Sequence, residues 1–302
     1  MANLKYFLWL TTRKGLQSED ANRLIAHFGT PEGAYFADET EYELMGLPPA
    51  KRKALADKSL SEAEKILSDC DREGIHIMTV QDADYPERLS QIYDPPTVLY
   101  WKGKALSVDD RLTVALVGTR KCSAYGEEVA GRLGLELARN GGTLVSGMAE
   151  GIDAAGLRGA LQGGGSVISV LGGGLDVIYP ARNRWLYQDV MTTGTLVSEY
   201  PPGTEPAGFH FPVRNRILTG LAMGVAVVEA PVQSGALISA HHALEQDREV
   251  FAVPGPVGAA ASLGCNRLIQ RGEAKLSLSA KVILVELQGW SGRVVPALDQ
   301  EE

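Results

Sequence analysis

The sequence predicts an α/β protein built on a mostly parallel sheet and preceded by a small all-helical region. Three observations carry this. From residue 113 onward, short β-branched runs alternate in order with helical patterns, and strands joined through helices lie parallel with both faces covered. Residues 1–70 carry helical periodicity and no strand pattern. A content of 45% apolar residues and 34 glycines in 302 residues suits a large core with many tight strand-to-helix turns.

Taken in order, Ser18-Glu-Asp-Ala-Asn-Arg-Leu-Ile-Ala-His-Phe28 is the first well-marked helix, with Ser18 as the expected cap and Ala21, Leu24, Ile25 and Phe28 on one face. Glu43-Leu-Met-Gly-Leu-Pro-Pro-Ala-Lys-Arg-Lys53 resembles a helix-hairpin-helix, although proline stands where such hairpins have their second glycine. A packing role is expected there rather than a DNA contact. Residues 74–80 and 97–101 read as strands, with a turn at Asp94-Pro-Pro96. Further strands are expected at 113–117, 143–145, 166–171, 195–198, 225–228 and 249–253. A helix is expected at 125–139 with Val129, Leu133 and Leu137 on one face. The chain thus divides into a helical domain at 1–70, a sheet domain at 71–280 and a C-terminal tail at 281–302, with no internal repeat.

The formal net charge of −8 argues against a surface coated in positive charge, yet it allows a local basic groove. Acidic residues collect elsewhere, as in Asp38-Glu-Thr-Glu-Tyr-Glu43 and Leu298-Asp-Gln-Glu-Glu302. No apolar run approaches the ~20 residues that span a bilayer. The start, MANLKYFLWLTTRKG, shows neither a charged leader nor a small-residue cleavage site. Cys70, Cys122 and Cys265 are too scattered for a metal site or a disulfide framework. A cytoplasmic protein with reduced thiols and no membrane partner is expected.

In an open α/β sheet, ligands bind beyond the carboxyl ends of the strands, so the residues after each strand define the candidate site. The turn within Val114-Ala-Leu-Val-Gly-Thr-Arg-Lys-Cys-Ser-Ala-Tyr-Gly126 opens like a dinucleotide site. Of the three fingerprint glycines it keeps only Gly118, with Arg120 and Ser123 at the other two places. An arginine where pyrophosphate needs bare backbone points to a different anion. The remaining turns are SGMAEGID at 146–153, GGGLDVIYPARNR at 172–184, EYPPG at 199–203 leading into FHFPVRNR at 209–216, EAPVQSG at 229–235 and PGPVG at 254–258.

Ser146-Gly147 and Ser234-Gly235 stand where helix N-termini are expected to offer amides to an anion. Arg120, Lys121, Arg182, Arg184, Arg214 and Arg216 bring more cation to this rim than one pyrophosphate uses. Tyr179, Phe209 and Phe211 lie among them and suit base stacking. Several spaced phosphates with exposed bases between them match this set. One of Arg214 and Arg216 is as readily expected in a structural ion pair. Asp153 is expected to cap or brace its helix, and Glu199 and Glu229, which also suit acid–base groups, are expected rather to accept hydrogen bonds from the arginines. The five histidines show no metal spacing and no nucleophile partner, so no catalytic residue, metal or cofactor is expected. His241 and His242 adjoin on a helix and should divide between core and surface.

Several longer stretches follow one another in a familiar order. VGTR at 117–120, SGMAEGID at 146–153, GGGLDVIYPARNRWL at 172–186, SEYPPGT at 198–204, FPVRNRILTGL at 211–221, VVEAPVQSGALISA at 227–240 and EVFAVPG at 249–255 closely resemble the DNA-processing protein A family, DprA or Smf. YPERL at 85–89 and DPPTVLYWKG at 94–103 extend the match, which runs from about residue 75 to 276. The resemblance implies an extended Rossmann-like fold behind a sterile-alpha-motif-like (SAM-like) helical domain. It implies a binding protein, not an enzyme, that takes up single-stranded DNA, protects incoming strands during natural transformation and loads the RecA recombinase onto them. It places a phosphate contact on Arg120 and weaker ones on Lys121, Arg182, Asn183, Arg184, Arg214 and Arg216. It also implies a homodimer through residues 264–276, with Leu268, Ile269 and Leu276 in contact.

The chain departs from the family pattern at Glu150, where many members are basic, and at Glu273, an extra residue in the dimer segment. The stretch after 276 is too short for the winged-helix domain of some members. The rival reading is a nucleotide-binding phosphoribohydrolase-like enzyme on a related fold. Such enzymes carry PGGxGTxxE, whereas Ala230-Pro-Val-Gln-Ser-Gly-Ala-Leu-Ile-Ser239 has no glutamate in register.

Overall fold

The computed structural model describes residues 3–291. Helices α1 (Leu4–Thr11), α2 (Ser18–Phe28), α3 (Pro31–Phe36), α4 (Glu39–Leu44), α5 (Pro49–Ala56) and α6 (Ser61–Glu73) come first. They bury Leu8, Trp9, Leu24, Tyr42 and Leu55, and the Trp9 indole donates to the Asp57 carbonyl at 2.8 Å. α2 has the expected bounds but a different cap: Gln17 and Asp20 close a capping box. Ser18 instead donates its hydroxyl to Glu199 Oε1 at 2.5 Å. α4 and α5 form the expected hairpin around Gly46, whose φ is +73°. Of its basic residues, Lys51 pairs with Asp20 at 2.6 Å and Arg52 with Glu43 at 3.1 Å, while Lys53 is exposed.

The strands are β1 (His76–Thr79), β2 (Val98–Gly103), β3 (Thr113–Val117), β4 (Thr143–Ser146), β5 (Val167–Leu171), β6 (Thr195–Ser198), β7 (Gly224–Val227), β8 (Glu249–Ala252) and β9 (Lys275–Leu276). They form one sheet in the order β1-β2-β6-β5-β4-β3-β7-β8-β9. The run β5-β4-β3-β7-β8-β9 is parallel and has the doubly wound Rossmann order. β6 continues it in parallel, and β2 and β1 add an antiparallel margin, which makes the fold an extended Rossmann-like one. Each expected strand is present, and only the short β9 is additional.

Alternation along each strand sorts its side chains onto two faces. Val114, Leu116, Leu144 and Phe251 face one core, and Ala115, Val117, Val145 and Val250 the other. Helices α8 (Ala124–Arg139), α9 (Ile152–Gln162), α10 (Arg184–Thr193) and α14 (Ala280–Ser291) cover the first face. Helices α7 (Glu87–Ser90), α11 (His210–Gly220), α12 (Gly235–Glu245) and α13 (Leu263–Gln270) cover the second. The segment expected as a tail therefore opens with a helix, whose Ile283, Leu284 and Leu287 are buried. Residues 292–302, with the acidic run Leu298–Glu302, lie outside the described residues.

The N-terminal helices share the first core with the sheet. Asn22 donates to the Pro95 carbonyl at 2.8 Å and accepts from Thr97 Oγ1 at 2.9 Å. Among the described residues no helix is long and apolar enough to cross a membrane, and no cluster of potential metal ligands occurs. The three cysteines are unpaired.

Candidate nucleic-acid interface

From β3 the chain builds β4, β5 and β6 to one side, then crosses back to lay β7 on the other. The crevice above the carboxyl ends of β3 and β7 is therefore the topological switch point, where ligands of such sheets bind. At its floor, the place a dinucleotide phosphate would take is filled by the protein. The Glu229 carboxylate, 3% exposed, accepts from the Ser123 backbone N–H at 2.8 Å and the Ser123 hydroxyl at 2.6 Å, at the N-terminus of α8. An anion already satisfies that helix end. Gly126 makes room for it, since a Cβ there would lie 2.2 Å from Glu229 Oε2. Glu229 therefore does not accept from an arginine, contrary to expectation. The turn is closed to pyrophosphate from below, and its arginine faces outward.

The loop after β4 is likewise satisfied internally. The Ser146 hydroxyl is buried and donates to the Leu116 carbonyl at 2.8 Å, and the Gly147 N–H donates to Asp153 Oδ2 at 3.0 Å. α9 begins only at Ile152, so Ser146-Gly147 is not a helix N-terminus and offers no free donor. This corrects both residues as anion contacts. Asp153, expected to brace its helix, holds the loop before it through Gly147. Burial pushes its carboxyl up to about 6, against the pull of the Arg214 guanidinium and the Gly147 N–H. Ser234 does cap α12, accepting from the Ala236 N–H at 3.2 Å, and Gly235 is exposed beside it.

α11 separates its two arginines. Positions 214 and 216 lie about 200° apart around a helix, so they face opposite ways. Arg214 turns toward the crevice and is buried, 5% exposed; it donates to the carbonyls of Gly147 (3.0 Å) and Val170. Burial lowers its pKa to about 10. It lines the cavity wall as a fixed cation and not as a free arm. Arg216 turns toward the N-terminal helices and pairs with Glu199 at 2.7 Å and Asp94 at 3.2 Å. It cannot hold a phosphate, because two carboxylates already occupy it. Arg216 is corrected to a structural ion pair, and Glu199 accepts from an arginine as expected.

Above this floor lies an aromatic step. Phe211 and Tyr179 stack with ring centroids 5.6 Å apart and planes 26° apart, and the Arg120 guanidinium lies over the Phe211 ring at 5.0 Å. Gly172 lets Phe211 approach, because a Cβ there would meet its Cδ1 at 2.9 Å. Arg120, Glu150, Gly173, Tyr179, Phe211 and Arg214 line a cavity of about 150 Å³. On the far side of Arg120 a groove of about 760 Å³ continues past Lys121, Asn215, Ser234 and Gly235. Arg120, Lys121, Arg182 and Arg184 are exposed and form no ion pair among the described residues, whereas Arg216 is tied to two carboxylates. Asn183 is buried and donates from Nδ2 to the Met148 carbonyl at 2.8 Å, so it positions the turn and is not free for a strand. His241 is exposed and His242 half-buried, both beside Glu245, so neither enters the core.

In the segment expected to dimerise, Leu268 is 8% exposed and belongs to the core with Cys265. Ile269 is half-buried and Leu276 is 44% exposed. Sequence reasoning missed the carboxylate plug of Glu229. The available signal was Gly126, a glycine inside the first turn of α8 with no turn to make.

The model for the family DNA recombination-mediator protein A matches residues 76–288. The chain is 42% identical to the DNA processing protein DprA of Bacillus subtilis (strain 168) over 223 residues, 74% of this chain and 75% of that one. It superposes on the X-ray structure of DNA processing protein A from Streptococcus pneumoniae with a TM-score of 0.83 and 34% identity, covering 93% of this chain and 97% of that one. A structure of DNA processing protein A from Helicobacter pylori, which concerns its single-stranded DNA binding mode, gives a TM-score of 0.64 and 29% identity, covering 71% and 96%.

Proposed function

Because the chain belongs to the DNA recombination-mediator protein A family, we propose that it binds single-stranded DNA along the switch-point rim. Phosphates lie on Arg120, Lys121, Arg182 and Arg184, over the fixed charge of Arg214, and bases stack against Phe211 and Tyr179. One observation carries this reading: the exposed Arg120, without an ion pair among the described residues, lies over a stacked aromatic pair beside a helix end that a carboxylate already fills. A mononucleotide enzyme would use that helix end, and a duplex keeps its bases stacked on one another, leaving none for the rings. The Helicobacter pylori relative, similar over 71% of this chain, supports the same ligand.

In this reading the protein is a non-enzymatic mediator in the cytoplasm. It shields incoming strands during natural transformation and passes them to RecA for homologous recombination. Residues 71–280 carry the DNA, and the helices of 1–70 serve as a packing domain. The hydrolase alternative would need a free carboxylate at the start of α12, where the first turn is Gly235, Ala236 and Leu237.

Fluorescence anisotropy with a labelled oligothymidylate and a matching duplex tests the ligand class. The single strand is expected to bind more tightly, with affinity falling steeply as salt rises, since stacking needs exposed bases and phosphate contacts release counterions. Equal affinity for both forms across the salt range would contradict the proposal.

We also place a homodimer contact on residues 264–276. With Leu268 in the core, the available apolar surface is Ile269 and Leu276, continued by Leu278 at 66% exposure. A buried side chain of this size is worth about 1.5–3 kcal/mol, and two-fold symmetry uses each change twice. Ile269→Glu and Leu276→Glu are expected to give folded monomers in analytical ultracentrifugation. Two variants that stay dimeric would put the interface elsewhere.

A further inference from the structure

α10 presents an aromatic residue that the rim does not use. Leu186, Tyr187 and Val190 are buried, and the Tyr187 hydroxyl donates to the Leu175 carbonyl. Those anchors fix the rotation of the helix and turn Trp185 outward, where it is 76% exposed. A single exposed apolar residue is ordinary and implies nothing alone. Trp185 is not alone. Arg184 adjoins it, and Arg182 lies one short turn earlier; both are exposed and without an ion pair among the described residues. An exposed indole close in sequence to two exposed guanidinium groups suits a base between phosphates. A basic or neutral peptide would gain nothing from those charges.

The patch follows the rim residue Tyr179 in the same segment, 172–186. Tyr179, at the start of the same turn, stacks on Phe211, and Asn183 ties the turn to the loop after β4 through the Met148 carbonyl at 2.8 Å. Arg182, Arg184 and Trp185 follow Tyr179 within two turns of chain and are all exposed, so a strand leaving the aromatic step along this segment would reach them. We infer that Trp185 is a second stacking platform for single-stranded DNA, holding a base beyond the rim while Arg182 and Arg184 hold the neighbouring phosphates. This rests on the single-strand reading of the rim and extends its track.

The test compares oligothymidylates of about six nucleotides, which cover the Arg120–Phe211–Tyr179 step alone, with strands of about twenty, which also reach Arg182, Arg184 and Trp185. Trp185→Ala is expected to bind the short strand like the parent protein. For the long strand it is expected to be about ten-fold weaker, the ratio one stacked base is worth. Trp185→Phe keeps a ring and should recover most of the loss. Unchanged melting temperatures check that the exposed substitution leaves the fold intact. If Trp185→Ala binds the long strand as tightly as the parent, or weakens both lengths equally, the platform is overturned while the rim reading stands. If the parent protein fails to bind the short strand, both are overturned.

Discussion

Arg120→Ala is expected to weaken single-stranded DNA binding by about ten-fold or more, the worth of one charge-assisted phosphate contact of about 1.5–3 kcal/mol. The guanidinium is exposed, forms no ion pair among the described residues and rests on the Phe211 ring. Its loss should therefore leave the melting temperature nearly unchanged. The slope of log affinity against log salt should become shallower by about one unit, because one fewer phosphate is neutralised. Arg120→Lys should recover part of the affinity, since an ammonium keeps the charge but loses the planar fork and much of the stacking on Phe211. A lower melting temperature with unchanged affinity would mean that Arg120 braces the turn.

Arg216→Ala is expected to do the reverse. Its side chain is 10% exposed between Glu199 and Asp94, whose side chains are 15% and 25% exposed. Removing the cation leaves two largely buried carboxylates facing each other, a loss of about 3 kcal/mol when a buried pair is broken from one side. The ion pair also joins α11 to α2 through Glu199 and Ser18, so the damage should loosen the N-terminal helices. Urea denaturation is expected to show a lower midpoint, while the folded fraction binds DNA as the parent does. Lost affinity in a variant of unchanged stability would return Arg216 to the DNA surface.

These two arginines also mark how far the sequence could be read. The alternation of β-branched runs and helical patterns was legible because each run is buried on both faces, and the strands fell within a residue or two of their expected bounds. The rim was legible because the Rossmann order brings all those turns to one edge. What each side chain does there was not. Arg214 and Arg216 share a motif, and only helix phase separates a crevice wall from an interior ion pair. Ser146 and Gly147 look like an anion-binding turn until the Asp153 carboxylate is seen to occupy the Gly147 amide. Leu268 and Ile269 are both apolar, but the sequence alone does not say which one α13 buries. The Glu229 plug joins residues more than a hundred positions apart, and no local pattern announces it.

The central claim is that a single strand lies on the Arg120–Phe211–Tyr179 step above a plugged helix end. Photo-crosslinking with an oligonucleotide carrying 5-iododeoxyuridine, followed by peptide mapping, locates the bases directly, because the excited base reacts with the aromatic ring it touches. The account predicts crosslinks to Phe211 and Tyr179 that Arg120→Ala greatly reduces at a fixed strand concentration. Crosslinks confined to the α4–α5 hairpin, or unaffected by Arg120→Ala, would contradict it.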